Sequence, residues 1–414
     1  MEFIMTYRAV GSVAGVLLSG CAALGQSLTL IPNFTARGVS ADGQVVFGSV
    51  PLLDPPSVES DAAIWRGNGI EVIGDPPGCS LSVVVGCNGE GTAFVVRASE
   101  STQTPALSYV WRQDQAWLPV SFPGVASVNA TCMSRDGRVV GGTVILSAET
   151  FYESMVWTEE DGGRLVPGGS NYRSWLQALS ADGSKAVGSG ASSVGSWGMV
   201  WPSTYTWCVS MGIVEGQSSA AAQAMTADGR VAVGGSKGST ARSGMALIWT
   251  SGEGLTVVPA LSPFTLAELT CVSDDGNFAG GHMRWLSTSP NLPSRAAVVW
   301  RRGHGLIFAN EYLQSRGVSV STPLLEVVGV SADGKTIVGT TELGSFIARL
   351  PRCGSADFNR DGQTGTDADI EAFFRCLAGD CCPLCDSADF DGDGDTATDA
   401  DIEAFFRVLG GGAC

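Results

Sequence analysis

Seven copies of one short grammar run from residue 38 to residue 350, and this repetition restricts the fold more than any other feature of the chain. Each copy sets a small residue, a Ser or Thr, Asp-Gly, an apolar strand ending in Gly, and an apolar run closed by Trp. The first reads Gly38-Val39-Ser40-Ala41-Asp42-Gly43, then Val45-Val46-Phe47-Gly48 and Ala63-Ile64-Trp65. The turns of the others centre on Glu90-Gly91, Asp136-Gly137, Asp182-Gly183, Asp228-Gly229, Asp275-Gly276 and Asp333-Gly334. Their spacing is about 46 to 48 residues, and roughly 58 for the last, a period that signals propellers or solenoids. The closing aromatics are Trp65, Trp111, Trp157, Trp201, Trp249, Trp300 and, in the last copy, Phe346.

Each copy is expected to be a four-stranded meander. Asp-Gly between two apolar runs marks a hairpin, because the turn needs a positive φ that Gly adopts without a Cβ penalty. One column separates propeller from solenoid. Five residues before each turn glycine stand Gly38, Gly86, Cys132, Ala178, Ala224, Cys271 and Gly329, all small, as inner strands crowding a narrow axis require. Cys132 and Cys271 therefore read as buried small hydrophobes, while Cys79 and Cys87 lie close enough in sequence to pair. Most copies add a fourth strand after the Trp, such as Leu255-Thr256-Val257-Val258-Pro259, but the seventh stops at Leu350. Leu28-Thr29-Leu30-Ile31-Pro32 matches the missing strand and would leave no free sheet edge. The expected fold is all-β: a seven-bladed propeller over residues 27–351, closed by the N-terminal strand. The long stretch from Glu311 to Pro323 is expected to overhang one face of the ring.

These repeats resemble the HAF-type extracellular repeat family, whose members read GISADGxVVVG…AxxW. The resemblance extends to the end of the array, through Asn310-Glu311-Tyr312-Leu313, Gly329-Val330-Ser331-Ala332-Asp333-Gly334 and Phe346-Ile347-Ala348-Arg349-Leu350-Pro351. It implies an exported repeat protein of undefined biochemical activity. The second copy departs from it, with Glu90-Gly91 for Asp-Gly.

From Cys353 to Cys414 a second repeat of about 32 residues takes over. Ala356-Asp357-Phe358-Asn359-Arg360-Asp361-Gly362 is answered by Ala388-Asp389-Phe390-Asp391-Gly392-Asp393-Gly394, and both continue into Thr-Asp-Ala-Asp-Ile-Glu-Ala-Phe-Phe-Arg. Oxygen side chains at loop positions 1, 3 and 5, with Gly at 6, form the EF-hand calcium arrangement. The ligands are then Asp357, Asn359 and Asp361 with the carbonyl of Gln363, and Asp389, Asp391 and Asp393 with the carbonyl of Asp395. A helix should follow each loop, capped by Thr366 or Thr398, with apolar stripes Ile370, Phe373, Phe374, Leu377 and Ile402, Phe405, Phe406, Leu409. Glu371–Arg375 and Glu403–Arg407 are spaced as surface i,i+4 pairs. Two such loop–helix units resemble a dockerin module, which implies two calcium ions and docking to a cohesin-like or cell-surface partner. The usual last ligand would fall on Ala368 and Ala400, which cannot coordinate, so each loop is one residue longer. Asp369 and Asp401 are favoured to close the shell, because each directly precedes the first apolar helix residue as in dockerins; Asp367 and Asp399 are the alternatives.

The first 25 residues have the layout of an export signal: Arg8, then the uncharged apolar run Ala9 to Gly20, too short to span a membrane. Two processing readings stand. Leu18-Ser19-Gly20-Cys21 resembles a lipobox that would lipidate Cys21, and Ala23-Leu24-Gly25 suits a cut before Gln26. No later segment is apolar enough to cross a bilayer, so an extracellular or cell-surface location is expected. The 12 cysteines fit an oxidising compartment, and six of them (Cys353, Cys376, Cys381, Cys382, Cys385 and Cys414) could form up to three disulfides in the tail. The net charge of −17 leaves no basic stripe for nucleic acid.

No catalytic residues are assigned. With only His282 and His304, histidine triads and zinc sites have almost no raw material. The Asp-Gly carboxylates recur once per copy and read as turn residues, and Cys382-Pro383-Leu384-Cys385 reads as a structural disulfide rather than a redox motif. Aromatics outside the repeat register, namely Trp175, Trp197, Tyr205, Trp207 and Trp285, are expected in loops or hairpin tips, where they could stack on sugar rings. The leading reading is a non-catalytic exported binding protein with a calcium-dependent tail. A polysaccharide-active enzyme and a structural envelope lipoprotein are the alternatives.

Overall fold

The computed structural model describes residues 27–411 except 52–59, 68, 102–103, 126, 147–150, 168–172, 193–194, 205–206, 213, 239–242, 286–293, 351–353, 383–384 and 392–395. The export signal with Cys21, and also Tyr205, Cys353, Asp393, Asp395 and Cys414, lie outside the described residues.

The body is an all-β propeller. Antiparallel meanders span residues 35–72, 81–119, 128–165 and 266–308, and a fifth four-stranded sheet joins the N-terminal strand to the strands of residues 326–349. An eight-stranded sheet covers residues 173–258 as two meanders that touch through one parallel bridge, Ser196 to Ser219. Ser27–Pro32 pairs antiparallel with Gly344–Arg349, Ser27 opposite Arg349 and Pro32 opposite Gly344. The first strand among the described residues thus completes the last sheet and covers its edge.

The small column marks a defect shared by every inner strand. Register slips by one residue just ahead of each small position, between Ala36 and Gly38, Ala130 and Cys132, and likewise in the other repeats. Such a bulge pushes the backbone toward the neighbouring strand. This accounts for the glycine within the second strand of most copies: a Cβ on Gly48, in the middle of strand Val45–Pro51, would overlap the carbonyl oxygen of Thr35. At the axis itself, a Cβ on Gly329 would lie 3.0 Å from the Cα of Gly38, so the last repeat abuts the first. A belt of amides runs the same way: Gly89 N donates to Arg135 O (2.9 Å), Arg135 N to Ala181 O (2.8 Å), Ala181 N to Ala227 O (2.8 Å), and Ala332 N back to Ala41 O (2.8 Å).

The Asp-Gly turns are held by their own side chains. In the third repeat Ser134 Oγ donates to Asp136 Oδ1 (2.6 Å) and accepts from Val139 N, while Asp136 Oδ1 also accepts from Arg138 N (3.0 Å). Gly137 closes the turn at φ 74°. The second repeat lacks the Asp because Asn88 does both jobs: its Oδ1 accepts from Thr92 N (2.8 Å) and Ala93 N (3.0 Å). The repeat-register tryptophans Trp65, Trp157, Trp201 and Trp300 are buried in the clusters between sheets.

The stretch expected to overhang the ring is instead packed. Helix α1 (Ala309–Ser315) buries Tyr312 and Leu313, and Val318 and Leu324 join the same core cluster. Four apolar side chains in this short insert have more to gain from burial than from solvent, at about 1.5–3 kcal/mol for a large one.

After the last sheet come helices α2 (Asp367–Leu377) and α3 (Asp399–Leu409), with N-caps Thr366 and Thr398. The expected stripes only partly face inward. Phe373 and Phe405 stack at 4.0 Å between centroids, but Phe374 and Phe406 are each 45% exposed. Phe358 and Phe390, from loop position 2, fill the remaining core and are buried. Arg407 pairs with Glu403 (2.6 Å), whereas Arg375 turns from Glu371 to Asp380 beyond the helix end. Disulfides link Cys376 to Cys381 and Cys382 to Cys385. Cys79 and Cys87 do not form the disulfide that their spacing suggested.

The tail is attached to the propeller by polar contacts. Asp386, almost fully buried, receives Arg316 from just beyond α1 (3.0 Å), Arg360 from the first loop, and the amide of Ser355 (2.6 Å). Arg360 also donates to the Ser315 carbonyl (3.3 Å). Among the described residues, no helix is long and apolar enough to cross a membrane.

Candidate functional site

The two acidic loops are shaped by their own hydrogen bonds. In the first, Gly362 sits at φ 88° and donates its N–H to Asp357 Oδ2 (3.1 Å), Asp361 N donates to Asn359 Oδ1 (2.9 Å), and Gln363 N to Asp361 Oδ1 (2.8 Å). Each loop passes through a left-handed position, Gly365 (φ 73°) in the first loop and Ala397 (φ 61°) in the second. From there Gly365 N donates to Ala356 O and Ala397 N to Ala388 O, tying each loop's exit to its entry.

This geometry puts Asp369 and Asp401 at the third helical position, fully buried. Asp401 Oδ2 accepts from Thr398 N (2.8 Å) and Thr398 Oγ1 (2.9 Å), and its Oδ1 accepts from Phe390 N (2.6 Å) and Asp391 N (3.2 Å). Asp369 repeats this with Thr366 and Asn359 N. Burial opposes ionisation of Asp369, yet the amides of Thr366 and Asn359 and the Thr366 hydroxyl outweigh it and hold the carboxyl below its ordinary value. Each aspartate is therefore a capping-box residue as well as a loop residue, and its side chain reaches back across its loop.

The donor set fits a hard cation. Ligand oxygens of Asp389, Asp391 and Asp401 lie within 4.8 Å of one another. In the first loop Asp357 Oδ1 is buried and has no hydrogen-bond partner, a costly state for a carboxylate oxygen unless a cation approaches it. All these donors are oxygen, the chemistry of calcium or magnesium rather than zinc.

The stacking candidates are spread out. Trp175 and Trp197 stand on strands, Arg173–Leu179 and Gly195–Trp201, and not in loops. Trp175 is half-buried with its ring 5.5 Å from Tyr152. Trp207 is 64% exposed ahead of the short strand Val209–Ser210, and Trp285 follows strand Phe278–Arg284.

A channel of about 250 Å³ runs along the axis, lined among others by Gly38, Gly86, Cys132, Ala224 and Cys271. Burial pushes the Cys132 and Cys271 thiols up to about 12, so both stay protonated and unreactive. At the turn end Arg135 and Asp274 form a two-point ion pair between repeats on opposite sides of the ring. Toward the other end, His282 is buried with Nδ1 3.0 Å from Glu326 Oε1, while its Nε2 accepts from Arg284 Nε (3.0 Å). Arg295 adds a contact to Glu326 at 2.7 Å. Sequence reasoning missed this cluster, because nothing local links His282 to Glu326.

No protein-family model and no curated protein sequence matches the chain. Solved structures align with it at low identity. A TolB from Acinetobacter baumannii aligns at 11% identity and TM-score 0.44, over 63% of this chain and 62% of that protein. Prolyl oligopeptidase B from Galerina marginata aligns at 9% identity and TM-score 0.42, over 66% of this chain and 39% of that one. YCF48 bound to D1 peptide aligns at 11% identity and TM-score 0.49, over 80% and 98%. The chain thus spans less than two thirds of the first two, and at these identities the likeness carries no activity across.

Proposed function

We propose that this is an exported, non-catalytic binding protein in which a propeller recognises a polysaccharide and a dockerin-like, calcium-dependent tail docks to a partner at the cell surface. The propeller is read as seven-bladed and HAF-like. That count takes the two meanders of the eight-stranded sheet as separate blades, since each has its own bulge and its own Asp-Gly turn. The tail takes one calcium per loop. Asp357, Asn359, Asp361, Gln363 and Asp369 surround the first, and Asp389, Asp391, Asp393, Asp395 and Asp401 the second. Bound calcium would neutralise each loop's carboxylates and cross-link its entry to its helix. The exposed pair Phe374 and Phe406, 6.2 Å apart, is the apolar surface offered to a cohesin-like partner.

The observation that carries the calcium reading is the buried, partnerless oxygen of Asp357. Its test is calcium titration of the metal-stripped, full-length protein followed by thermal unfolding. A saturable rise in the tail's midpoint is expected, and no response up to millimolar calcium, the weak end of extracellular sites, overturns it. A glycan array probed with the full-length chain tests the ligand half. An enzyme on the same scaffold is the second reading, prompted by the buried His282–Glu326 contact. It is disfavoured because Arg284 occupies the imidazole's other nitrogen, leaving no free base.

A further inference from the structure

One residue of the first acidic loop also takes part in the contact between tail and propeller. Arg360 holds loop position 4, between the oxygen donors Asn359 and Asp361. Its guanidinium lies on the buried carboxylate of Asp386, and its Nη1 donates to the carbonyl of Ser315, the last residue of α1, at 3.3 Å. Asp386 Oδ1 also accepts from Arg316 Nη1 (3.0 Å), and its Oδ2 from Ser355 N (2.6 Å). Tyr312 steadies Arg316 from the propeller side, with the guanidinium carbon 5.6 Å from its ring centroid. One carboxylate thus gathers a cation from each part of the molecule. A buried carboxylate that loses one of its cations is left poorly compensated, so the contact makes or breaks as a unit.

The loop presents Arg360 from an unfavourable backbone. Its φ of 59° is left-handed, where a Cβ crowds the following carbonyl oxygen, and the second loop has Gly392 at the matching position. Hydrogen bonds on both sides hold it there. Asp369 Oδ1 accepts from Asn359 N (3.2 Å), Asn359 Oδ1 accepts from Asp361 N (2.9 Å), and Asn359 Nδ2 donates to Asp361 Oδ2 (3.2 Å). These side chains are among those that would hold calcium. A cation on Asp357, Asn359 and Asp361 fixes the backbone before and after Arg360, the same backbone that aims its guanidinium at the propeller.

We propose that calcium in the first loop latches the tail to the propeller. With the ion bound, Arg360 stays on Asp386 and the end of α1; without it, the left-handed position relaxes and the tail comes away. The inference rests on the calcium reading of the first loop and adds what that ion controls. Coupling of this kind is reciprocal: if calcium favours the docked tail, the docked tail tightens calcium by the same factor. Arg316, a propeller residue outside the loop, then tunes the affinity of an ion it does not touch.

Calorimetric titration of the metal-stripped, full-length protein with calcium tests it, wild type against Arg316→Gln. The site that Asp357→Asn removes is expected to bind about fivefold or more weakly in Arg316→Gln, at unchanged stoichiometry. Small-angle scattering gives a second readout. Arg360→Gly keeps the left-handed backbone, and with it the ion, but removes the guanidinium, so its radius of gyration at saturating calcium should exceed that of the wild type. Thermal unfolding of each variant confirms that the propeller folds. Equal calcium affinities in wild type and Arg316→Gln, with an unchanged radius in Arg360→Gly, would overturn the latch and leave calcium binding standing. No calcium uptake by the wild type would remove the calcium reading and the latch with it.

Discussion

Aspartates of the blade turns and aspartates of the tail loops both belong to short segments that turn on a glycine, Asp136 beside Gly137 and Asp357 five residues before Gly362, yet the molecule uses them in opposite ways. Asp136 accepts from a serine hydroxyl and from an amide two residues on with Oδ1 alone, and its other oxygen stands at the exposed surface, so the turn is complete in itself. Asp357 takes an amide on one oxygen and leaves the other buried without a donor. What separates Asp357 from a turn aspartate is thus a spare acceptor oxygen in a place water does not reach. Residue type and spacing alone do not supply that distinction.

The strongest challenge to this contrast is Asp401→Ala. It strands the amides of Phe390, Asp391 and Thr398 in a buried site, so a loss on the order of 3 kcal/mol or more is expected from the tail. Calorimetry should then show the tail unfolding well before the propeller; an unchanged profile would mean that the carboxylate is not structural. Calcium at a hundredfold excess over its Kd should add about 2.7 kcal/mol per site. Asp357→Asn should abolish the share of the first loop, while Asp136→Asn leaves the calcium response intact. Asp136→Ala should cost the propeller about 1–2 kcal/mol at any calcium concentration, read from chemical denaturation, because it removes only local hydrogen bonds. Ala397→Gly should stabilise the tail by about 1 kcal/mol, since Ala397 holds a left-handed φ of 61° where the first loop has glycine; a decrease in stability would show that the methyl group packs.

The smallest effect concerns acid. Hydrogen bonds from the Ser180 hydroxyl and from the Ser184 amide and hydroxyl lower Asp182 from 3.8 to about 2. A carboxylate depressed on folding stabilises the native state above its unfolded pKa, and that share fades as pH falls between about 3.8 and 2. Asp182→Asn should flatten this part of the acid-unfolding curve by removing the share present at neutral pH, with stability below about pH 2 nearly unchanged.

Much of the architecture was legible because it is local and repeated. Period, turn residues and the small column place the strands, and the match of Leu28–Pro32 to a missing fourth strand foretells the pairing with Gly344–Arg349. The threonine caps were equally readable. Asn88 was a signal in plain view, since the one repeat without its aspartate has an amide where others have a hydroxyl. Other expectations failed for want of a third dimension. Trp175 and Trp197 break the repeat's aromatic register but not its strands, and Phe374 and Phe406 follow helical spacing yet are displaced from the core by Phe358 and Phe390.

The chain's order of residues settled the sheets, the turns and the oxygen-rich loops, because each arises from contacts within one repeat or between neighbours. Tertiary structure alone decided which charges meet. Arg135 reaches Asp274 over 139 positions, and Arg316 reaches Asp386 over 70. The reason is geometric: bending the array into a ring sets side chains from distant repeats around a common axis, and no linear spacing encodes who stands opposite whom.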